Sequence, residues 1–578
     1  MSKYEALSEE RKLGQANGTI PEWMPTAGLQ MFKEKYLYEA ESPREQFMRI
    51  AETAAKHAPK VMIPTSNEGL MIYANIEDYW TDKFFTVLWN GWVACSTPVL
   101  ANMGTNRGCP VSCAGSAVED SIEGFYNNYR EVALLTKQGF GTASDLSYIR
   151  PRGSDISVGG KASGVLPVIK HHIQDMRDVA QGTARRGAWA AYLDVEHGDF
   201  WEVIAHLEKE PDDFNIGWIV YDSFIAKLKK KDKEARKRFK RLMRVKMVTG
   251  KGYHFFIDKV NRARPQVYKD LGLMVRCSQL CTEIFLHSDP DNYTYTCVLA
   301  WMNLSKWDEW KNTDAAFVAT VFLDCVVSEF VEIASKISGL EKAVASTKKG
   351  RAIGLGAGGF HTYLQMNDME FGGLPAHMWN ITVFKHINNQ SLEASKWLAK
   401  ELGEPEWLKG YGLRFTHRMA VAPTKSTALI YGGISEGINP DLAFSFTQKT
   451  SAGDVDRVNP TLLAKIKAKG LDVDACIADV VKGYGSVQHV TWLTDDEKKV
   501  FKTGFELNMY DHLRMCAARQ KEIDQGQSIN LAFAKNATGQ HITEVHMSAW
   551  ENELVHSLYY VQGSRAIVSS SSECVACQ

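Results

Sequence analysis

No apolar run in the 578-residue sequence approaches the ~18 residues needed to span a bilayer. The first residues, MSKYEALSEERKLGQ, lack the apolar core of a secretory signal. The chain is therefore expected in the cytoplasm, a host cytoplasm if its source is viral. An excess of one charge is also missing: 67 Lys and Arg against 68 Asp and Glu give a formal net charge of −1. Bulk electrostatics thus predict no nucleic-acid partner, since proteins that bind polyanions usually carry a basic excess. No internal repeat occurs, and low complexity is confined to the tail VSSSSECVACQ. The 11 cysteines do not read as a secreted disulfide framework. In a reducing compartment each needs a packing, metal or redox explanation. Zinc knuckles are lacking too, because the one C-x-x-C, Cys574 to Cys577, stands in a serine-rich end without a nearby histidine. No metal site is expected on this chain.

What is present is an ordinary globular composition, 45% hydrophobic and 23% charged. The length allows two to four domains or one large barrel with additions. Residues 1–90 read as helical, as in ESPREQFMRIAETAAKHA, with Ser42-Pro43 as a start signal. EDSIEGFYNNYREVALLTKQG keeps helical spacing up to Gly139, and AAFVATVFLDCVVSEFVEIASKI reads as a buried helix through Phe317, Val321, Cys325, Phe330 and Ile333. AWAAYLDV and GYHFFIDKVN read as strands. The basic stretch KLKKKDKEARKRFKRLMRVK, 227–246, is expected to be a solvated helix or connector. Alternation of strands and helices favours an α/β fold.

VRCSQLCTEIFL, 275–286, departs from that pattern. If extended, it places Cys277, Gln279, Cys281 and Glu283 on one side, where a sheet would prefer Val and Ile. Cys325, Cys476 and Cys516 sit in helical patterns as small core residues, and Cys95 and Cys109 also lean to packing. Cys113, Cys281, Cys297 and the tail pair remain. A C-x-x-C at a chain terminus suits thiol–disulfide exchange, where access and a resolving thiol matter.

These motifs resemble, in order, those of the large catalytic subunit of ribonucleotide reductase, over residues 90–578. SQLCTEI is similar to the finger loop, CAGSAVEDSIEG and TCVLAWMNLS to the segments carrying the redox pair, and APTKSTALIYGGISEGINP to the substrate-phosphate loop. SLYYVQGSR resembles the radical-path tyrosines and ECVACQ the shuttle tail. The resemblance implies a ten-stranded α/β barrel of two antiparallel-related halves over 91–562, with the finger loop at its centre. A helical region, 1–90, would precede the barrel, and a flexible tail, 563–578, would follow it.

The resemblance also implies roles. Cys281 would carry the thiyl radical, Glu283 would be the general base and Gln279 would hold ribose hydroxyls. Cys113 and Cys297 would supply two electrons, and Cys574 and Cys577 would re-reduce them. Tyr559, nearer Cys281, and Tyr560 would pass a radical from a dimetal-containing small subunit, with no cofactor bound covalently to this chain. Thr97, Ser112, Thr424, Lys425, Ser426 and Thr427 would bind substrate. Deoxynucleotide or ATP effectors would meet Asp120, Ser121, Ile122, Lys137 and Arg150, and then Gln181, Arg185 and Arg186 in a second loop. Partners would be the small subunit, a second copy of the chain, and a thioredoxin- or glutaredoxin-like reductant.

The spacing of CAGSAVEDSI resembles the adenosylcobalamin-dependent branch, whereas the tyrosine pair favours class I. A catalytically silent nucleotide-binding regulator is the third alternative, which four retained thiol and carboxylate positions oppose. No room is seen ahead of the helical region for the family's ATP-binding domain, so dATP is not expected to inhibit overall activity through one. Gln279 replaces the usual asparagine, Asn439 stands where glutamate is common, and the region before GYHFFID is short.

Overall fold

The computed structural model describes residues 3–39, 41–63, 74–157, 159–181, 185–450 and 453–563; at residue 3 and, where described, within 180–186 and 447–456, it gives the backbone alone. Four helices open the chain: Lys3–Ala16, Thr26–Lys35, Pro43–Ala55 and Ile76–Trp89. The Ser42-Pro43 signal is realised as a capping box. Ser42 Oγ accepts from Glu45 N, and the Glu45 carboxylate accepts from Ser42 N. Phe47, Ile50, Ala51 and Ala54 recur at helical spacing on the buried face of Pro43–Ala55. That face packs on Ile76–Trp89 and on the long helix Ala315–Ala334. Ala315–Ala334 is buried on most sides, although Phe317 and Ile333 at its ends are only partly covered.

Ten strand segments close a barrel. Cys113–Ala117, Gly141–Asp145, Trp189–Asp194, Asn215–Val220 and Tyr253–Phe256 run parallel, in that spatial order. Leu299–Asn303 and Gly354–Gly358 begin a second parallel set. It continues through bridges at Leu355–Met419 and Val421–Gln527, and through Leu531–Phe533 paired with Val561–Gly563. The two sets meet antiparallel at two seams. Tyr295–Cys297, one residue before Leu299–Asn303, pairs with Cys113–Ala117. Ser557–Leu558, two residues before Val561–Gly563, pairs with Tyr253–Phe256. Parallel strands need crossover connections, and helices such as Ile122–Lys137 and Val165–Asp178 supply them.

Alternation along the strands sorts two cores. In Trp189–Asp194, Ala190 and Tyr192 belong to the barrel interior, while Trp189, Ala191 and Leu193 pack outward under the helices. The interior also contains Val275, Cys277, Leu280, Cys281, Ile284 and Phe285, so the 275–286 stretch fills the barrel. A third, smaller core around Phe444, Leu462, Val480 and Phe501 lies within residues 444–501.

The basic stretch departs from expectation at one position. Helices Asp222–Lys229 and Lys233–Thr249 do present a charged outer face, but Lys246 is 1% exposed. Counting charge along the sequence ignores helical phase, and Leu242, Met243, Val245 and Lys246 form the inner face.

Candidate active site

The 275–286 stretch is not the extended strand its alternation suggested. It enters and leaves through the antiparallel bridge Val275–His287 and turns at its tip, where Thr282 N donates to Gln279 O at 3.3 Å. Thr282 adopts φ 66°, a left-handed conformation unusual for a β-branched residue. Such strain persists only where the surroundings over-determine it. Here they do: Tyr192 Oη donates to Gln279 O at 2.7 Å, Ser557 Oγ to Thr282 O at 2.8 Å, and Gly526 N to Glu283 O at 2.8 Å. The loop tip is thus held by both half-barrels.

Cys281 lies at that tip, 5% exposed. Tyr559 Oη approaches Cys281 Sγ at 3.6 Å. The Tyr559 and Tyr560 rings stand 4.1 Å apart between centroids. Tyr559 is buried and Tyr560 half-buried, so the pair leads from the thiol toward the barrel's outside. The sequence did not single out Tyr253, whose Oη donates to Tyr560 Oη at 3.2 Å. The alternation in YHFF, with Tyr253 and Phe255 facing one way, was the available signal.

Glu283 is 1% exposed, and its Oε2 lies 2.9 Å from Ser528 Oγ. The same hydroxyl stands 2.7 Å from Cys281 O, so its single proton is shared between carboxylate and loop backbone. Ser528 is a second residue that sequence reasoning missed; only the polar run QGQSIN hinted at it. Gln279 folds back, its Oε1 accepting from Ile284 N at 3.1 Å and Ser278 Oγ at 3.0 Å. The added methylene is absorbed by capping the loop's own backbone. Its Nε2 is buried without a hydrogen-bond partner among the described residues, a donor available to a bound ligand. Asn439, the other departure, accepts from Asn530 N at 2.9 Å and donates to Ser528 O at 3.0 Å, tying its loop to the strand that holds Glu283.

Cys113 and Cys297 are directly opposed across the first seam. Opposed antiparallel residues stand ~4.5–5.5 Å apart at Cα, inside the span a disulfide bridges. Both lie in the interior core. Two residues along, Gly115 faces Tyr295, whose ring occupies the place a Cβ would take. Cys277 instead points toward Ser116 O at 4.0 Å, and burial pushes its thiol well above the usual range. Burial likewise pushes Cys109 up to about 12 and Cys516 to about 11, as expected of packing thiols. Cys574 and Cys577 lie outside the described residues.

The phosphate-loop residues adjoin this centre. Val421 N donates to Gly526 O, and the N–H of the same Gly526 makes the carbonyl contact that fixes Glu283. Thr424, at φ 54°, precedes the short helix Lys425–Ile430, and its Oγ1 accepts from Gly437 N at 2.8 Å. Thr427 Oγ1 donates to Thr424 O and accepts from Trp301 Nε1 at 3.1 Å. Ser426 is buried beside them, whereas Lys425 is half-buried. Ser112 donates its N–H to Cys297 O, and Thr97 stands 3.3 Å from Tyr36 Oη.

The effector residues are not gathered in one place. Arg150 Nε donates to Asp120 Oδ2 at 2.6 Å, beside Ser121, the N-cap of helix Ile122–Lys137, and Ile122, 72% exposed. Lys137 is exposed at the far end of the same 16-residue helix, about 24 Å of helical rise away. That far end lies near the hairpin pairing Ala180–Gln181 with Arg185–Arg186, since Thr136 Oγ1 reaches Met176 Sδ at 3.8 Å just before it. The side chains of Gln181, Arg185 and Arg186 are outside the description.

Comparison with known proteins agrees with this architecture. The family model "Ribonucleotide reductase, barrel domain" matches residues 111–234, 221–410 and 405–561. The model "Ribonucleotide reductase, all-alpha domain" matches 25–108. The ribonucleoside-diphosphate reductase large subunit of Invertebrate iridescent virus 3 is 28% identical over 622 residues, covering 93% of this chain and 94% of that protein. The corresponding Caenorhabditis elegans subunit is 28% identical, covering 82% of this chain and 69% of its own. The solved alpha subunit of the Actinobacillus ureae class Id ribonucleotide reductase superposes with a TM-score of 0.83 at 35% identity, covering 96% of this chain and 99% of that one. Among the described residues no helix is long and apolar enough to cross a membrane. Barrel, finger loop and sequence likeness agree: the chain belongs to the ribonucleotide reductase family, as a large subunit.

Proposed function

We propose that this chain reduces ribonucleoside diphosphates to 2′-deoxyribonucleoside diphosphates by class I radical chemistry in the cytoplasm. The observation that carries this reading is the buried contact of Tyr559 with Cys281, continued outward by Tyr560. A radical delivered by a dimetal-containing small subunit passes through Tyr560 and Tyr559 to Cys281. The relay's outer end lies beside the basic helix Lys233–Thr249, since Val561 N donates to Gly250 O. Arg236, Lys240, Met243 and Met247 line a groove along that helix with Ile542 and Thr543, and we place the small subunit at it.

The Cys281 thiyl removes the 3′-hydrogen of the ribose. Glu283 takes the 3′-hydroxyl proton and returns it when the 3′-hydroxyl is restored, Ser528 having kept its carboxylate oriented. The 2′-hydroxyl leaves as water. Cys113 and Cys297 supply two electrons and two protons and end as a disulfide, while the 3′-hydrogen returns from Cys281. Gln279 Nε2 donates to a ribose hydroxyl, and Thr424, Lys425, Ser426 and Thr427, with Thr97 and Ser112, hold the substrate. Cys574 and Cys577 reduce the disulfide by exchange and are themselves reduced by a thioredoxin- or glutaredoxin-like dithiol.

Deoxynucleoside triphosphate or ATP effectors bind across a homodimer. Asp120 and Arg150 of one copy meet Lys137 and the 180–186 hairpin of the other, which explains why one chain holds these groups at opposite ends of a helix. Cys281→Ser and Tyr560→Phe, each assayed with a metal-loaded small subunit, test the reading: both should abolish product. Full activity in Tyr560→Phe, or turnover with adenosylcobalamin and no partner, would overturn it.

A further inference from the structure

Lys246 is 1% exposed, yet no carboxylate pairs with it among the described residues, and burial dominates its surroundings. The two rings that share its pocket, His254 and His546, are fully buried too, and burial keeps both neutral. An unpaired ammonium in a dry interior is unfavourable, and a methionine would fill similar space without that cost. Packing alone does not account for a lysine here. Its hydrogen bonds do. Nζ donates to Gly252 O and to Tyr559 O, each at 2.7 Å.

Those two carbonyls mark where the second seam opens. The antiparallel pairing runs Ser557–Phe255 and Leu558–His254, and one more step would set Tyr559 opposite Tyr253. It stops there. Tyr559 N donates instead to Ile529 O, Tyr560 N to Asn530 Oδ1, and Val561 N to Gly250 O. Tyr560 O receives Leu531 N, and Tyr559 O receives an N–H of Lys246 Nζ. Each backbone polar group of the tyrosine pair is therefore satisfied, as burial requires. The lysine replaces the ladder bonds lost where the strands part. That parting lets Tyr253 reach Tyr560 while Tyr559 stays against Cys281.

We propose that Lys246 is a positioning residue of the radical relay, bridging Tyr559 O and Gly252 O so that the spacing of Tyr253, Tyr559 and Tyr560 is fixed. This rests on the relay reading given above. Lys246 exchanges neither electron nor proton with the tyrosines; it holds the two strands at the separation transfer needs. A misplacement of about 1 Å in a reacting pair can cost on the order of a hundredfold in rate.

The test uses the full chain with its small subunit. Lys246→Met removes the donors at similar volume and is expected to lower turnover at least tenfold. Nucleotide KM, effector binding and far-ultraviolet circular dichroism should stay within twofold of wild type. 3-Aminotyrosine placed at position 559 reads the relay directly, and the yield of its radical signal should fall in the same variant. Lys246→Arg, which keeps donors, should recover at least a third of wild-type turnover. A folded Lys246→Met with turnover within twofold, or with an undiminished radical yield, overturns the proposal. If Lys246→Met does not fold, Lys246→Gln decides: its shorter reach should cost at least threefold, and turnover within twofold overturns the proposal. Tyr560→Phe runs in parallel. Full activity there removes the relay itself, whereas an inactive Tyr560→Phe beside a fully active Lys246→Met removes only the positioning role.

Discussion

The barrel centre and the effector helix handle their functional groups in opposite ways. At the centre, Cys281, Glu283, Gln279 and Ser528 come from two distant stretches of sequence and meet in one buried cluster within a single chain. Along helix Ile122–Lys137 the sequence is continuous, yet Asp120 and Lys137 are held at opposite ends. Closure of a barrel gathers residues that are remote in sequence, and a straight helix separates residues that are near. On the proposed reading, chemistry would be complete in one copy, whereas effector binding would need two.

The largest effect that would test this contrast is at the centre. Glu283→Gln should lower kcat by about 10²–10⁴, the usual contribution of a positioned general base, with nucleotide affinity little changed. Turnover and equilibrium binding measured together check it. Retained kcat would mean the buried carboxylate is structural. The effector region yields to complementation. Arg150→Ala and Lys137→Ala should each lose effector response while basal turnover stays within twofold. A mixture of the two should regain response, because each mixed dimer keeps one intact composite site. Failure of the mixture to recover breaks the two-copy reading.

Legibility in the sequence followed the same divide. Motif order singles out Cys281, Glu283, Cys113 and Cys297 because those side chains are chemically distinctive, and the structure buries all four, the three thiols in the interior core. Ser528, Tyr192 and Tyr253 carry at most a faint signal in the sequence, since a serine or tyrosine looks like any other until closure sets its neighbours. Alternation predicted an extended finger loop and missed the left-handed Thr282, a conformation imposed by tertiary hydrogen bonds and not by local preference. The helix between Asp120 and Lys137 is legible from its spacing, and its length is what separates the two residues. Lys246 was masked by the charges around it.

A smaller effect tests the seam. Gly115→Ala would push a Cβ into the Tyr295 ring, and overpacking of this kind costs about 1–3 kcal/mol. Urea unfolding measures the loss, and a cost below about 0.5 kcal/mol would show that the ring moves freely.

The smallest expected effect ignores the divide. Burial holds His417, in the barrel, and His172, under the effector helix, to about 3 each. Unfolded histidine titrates near 6.5, so below that pH the unfolded chain takes up protons the folded chain refuses. Stability is full above about 6.5 and falls as pH drops toward 3, by up to about 1.4 kcal/mol per pH unit for each such group. Urea midpoints at pH 5.5 and 7.5 should differ accordingly. His417→Phe and His172→Phe should each flatten that dependence by similar amounts; a flattening confined to one would tie acid sensitivity to a single region.

The opposed pair at the first seam would have a consequence beyond the electron supply proposed for it. Cys113 and Cys297 sit on strands from different half-barrels, joined there by three register pairs. A covalent bond between them would turn that junction into a cross-link enclosing a long stretch of chain, which lowers the entropy of the unfolded ensemble. Each catalytic cycle would then alternate the molecule between two covalent topologies. Oxidised and reduced protein should melt at different temperatures, and the melting point would serve as a gauge of how much enzyme awaits reduction.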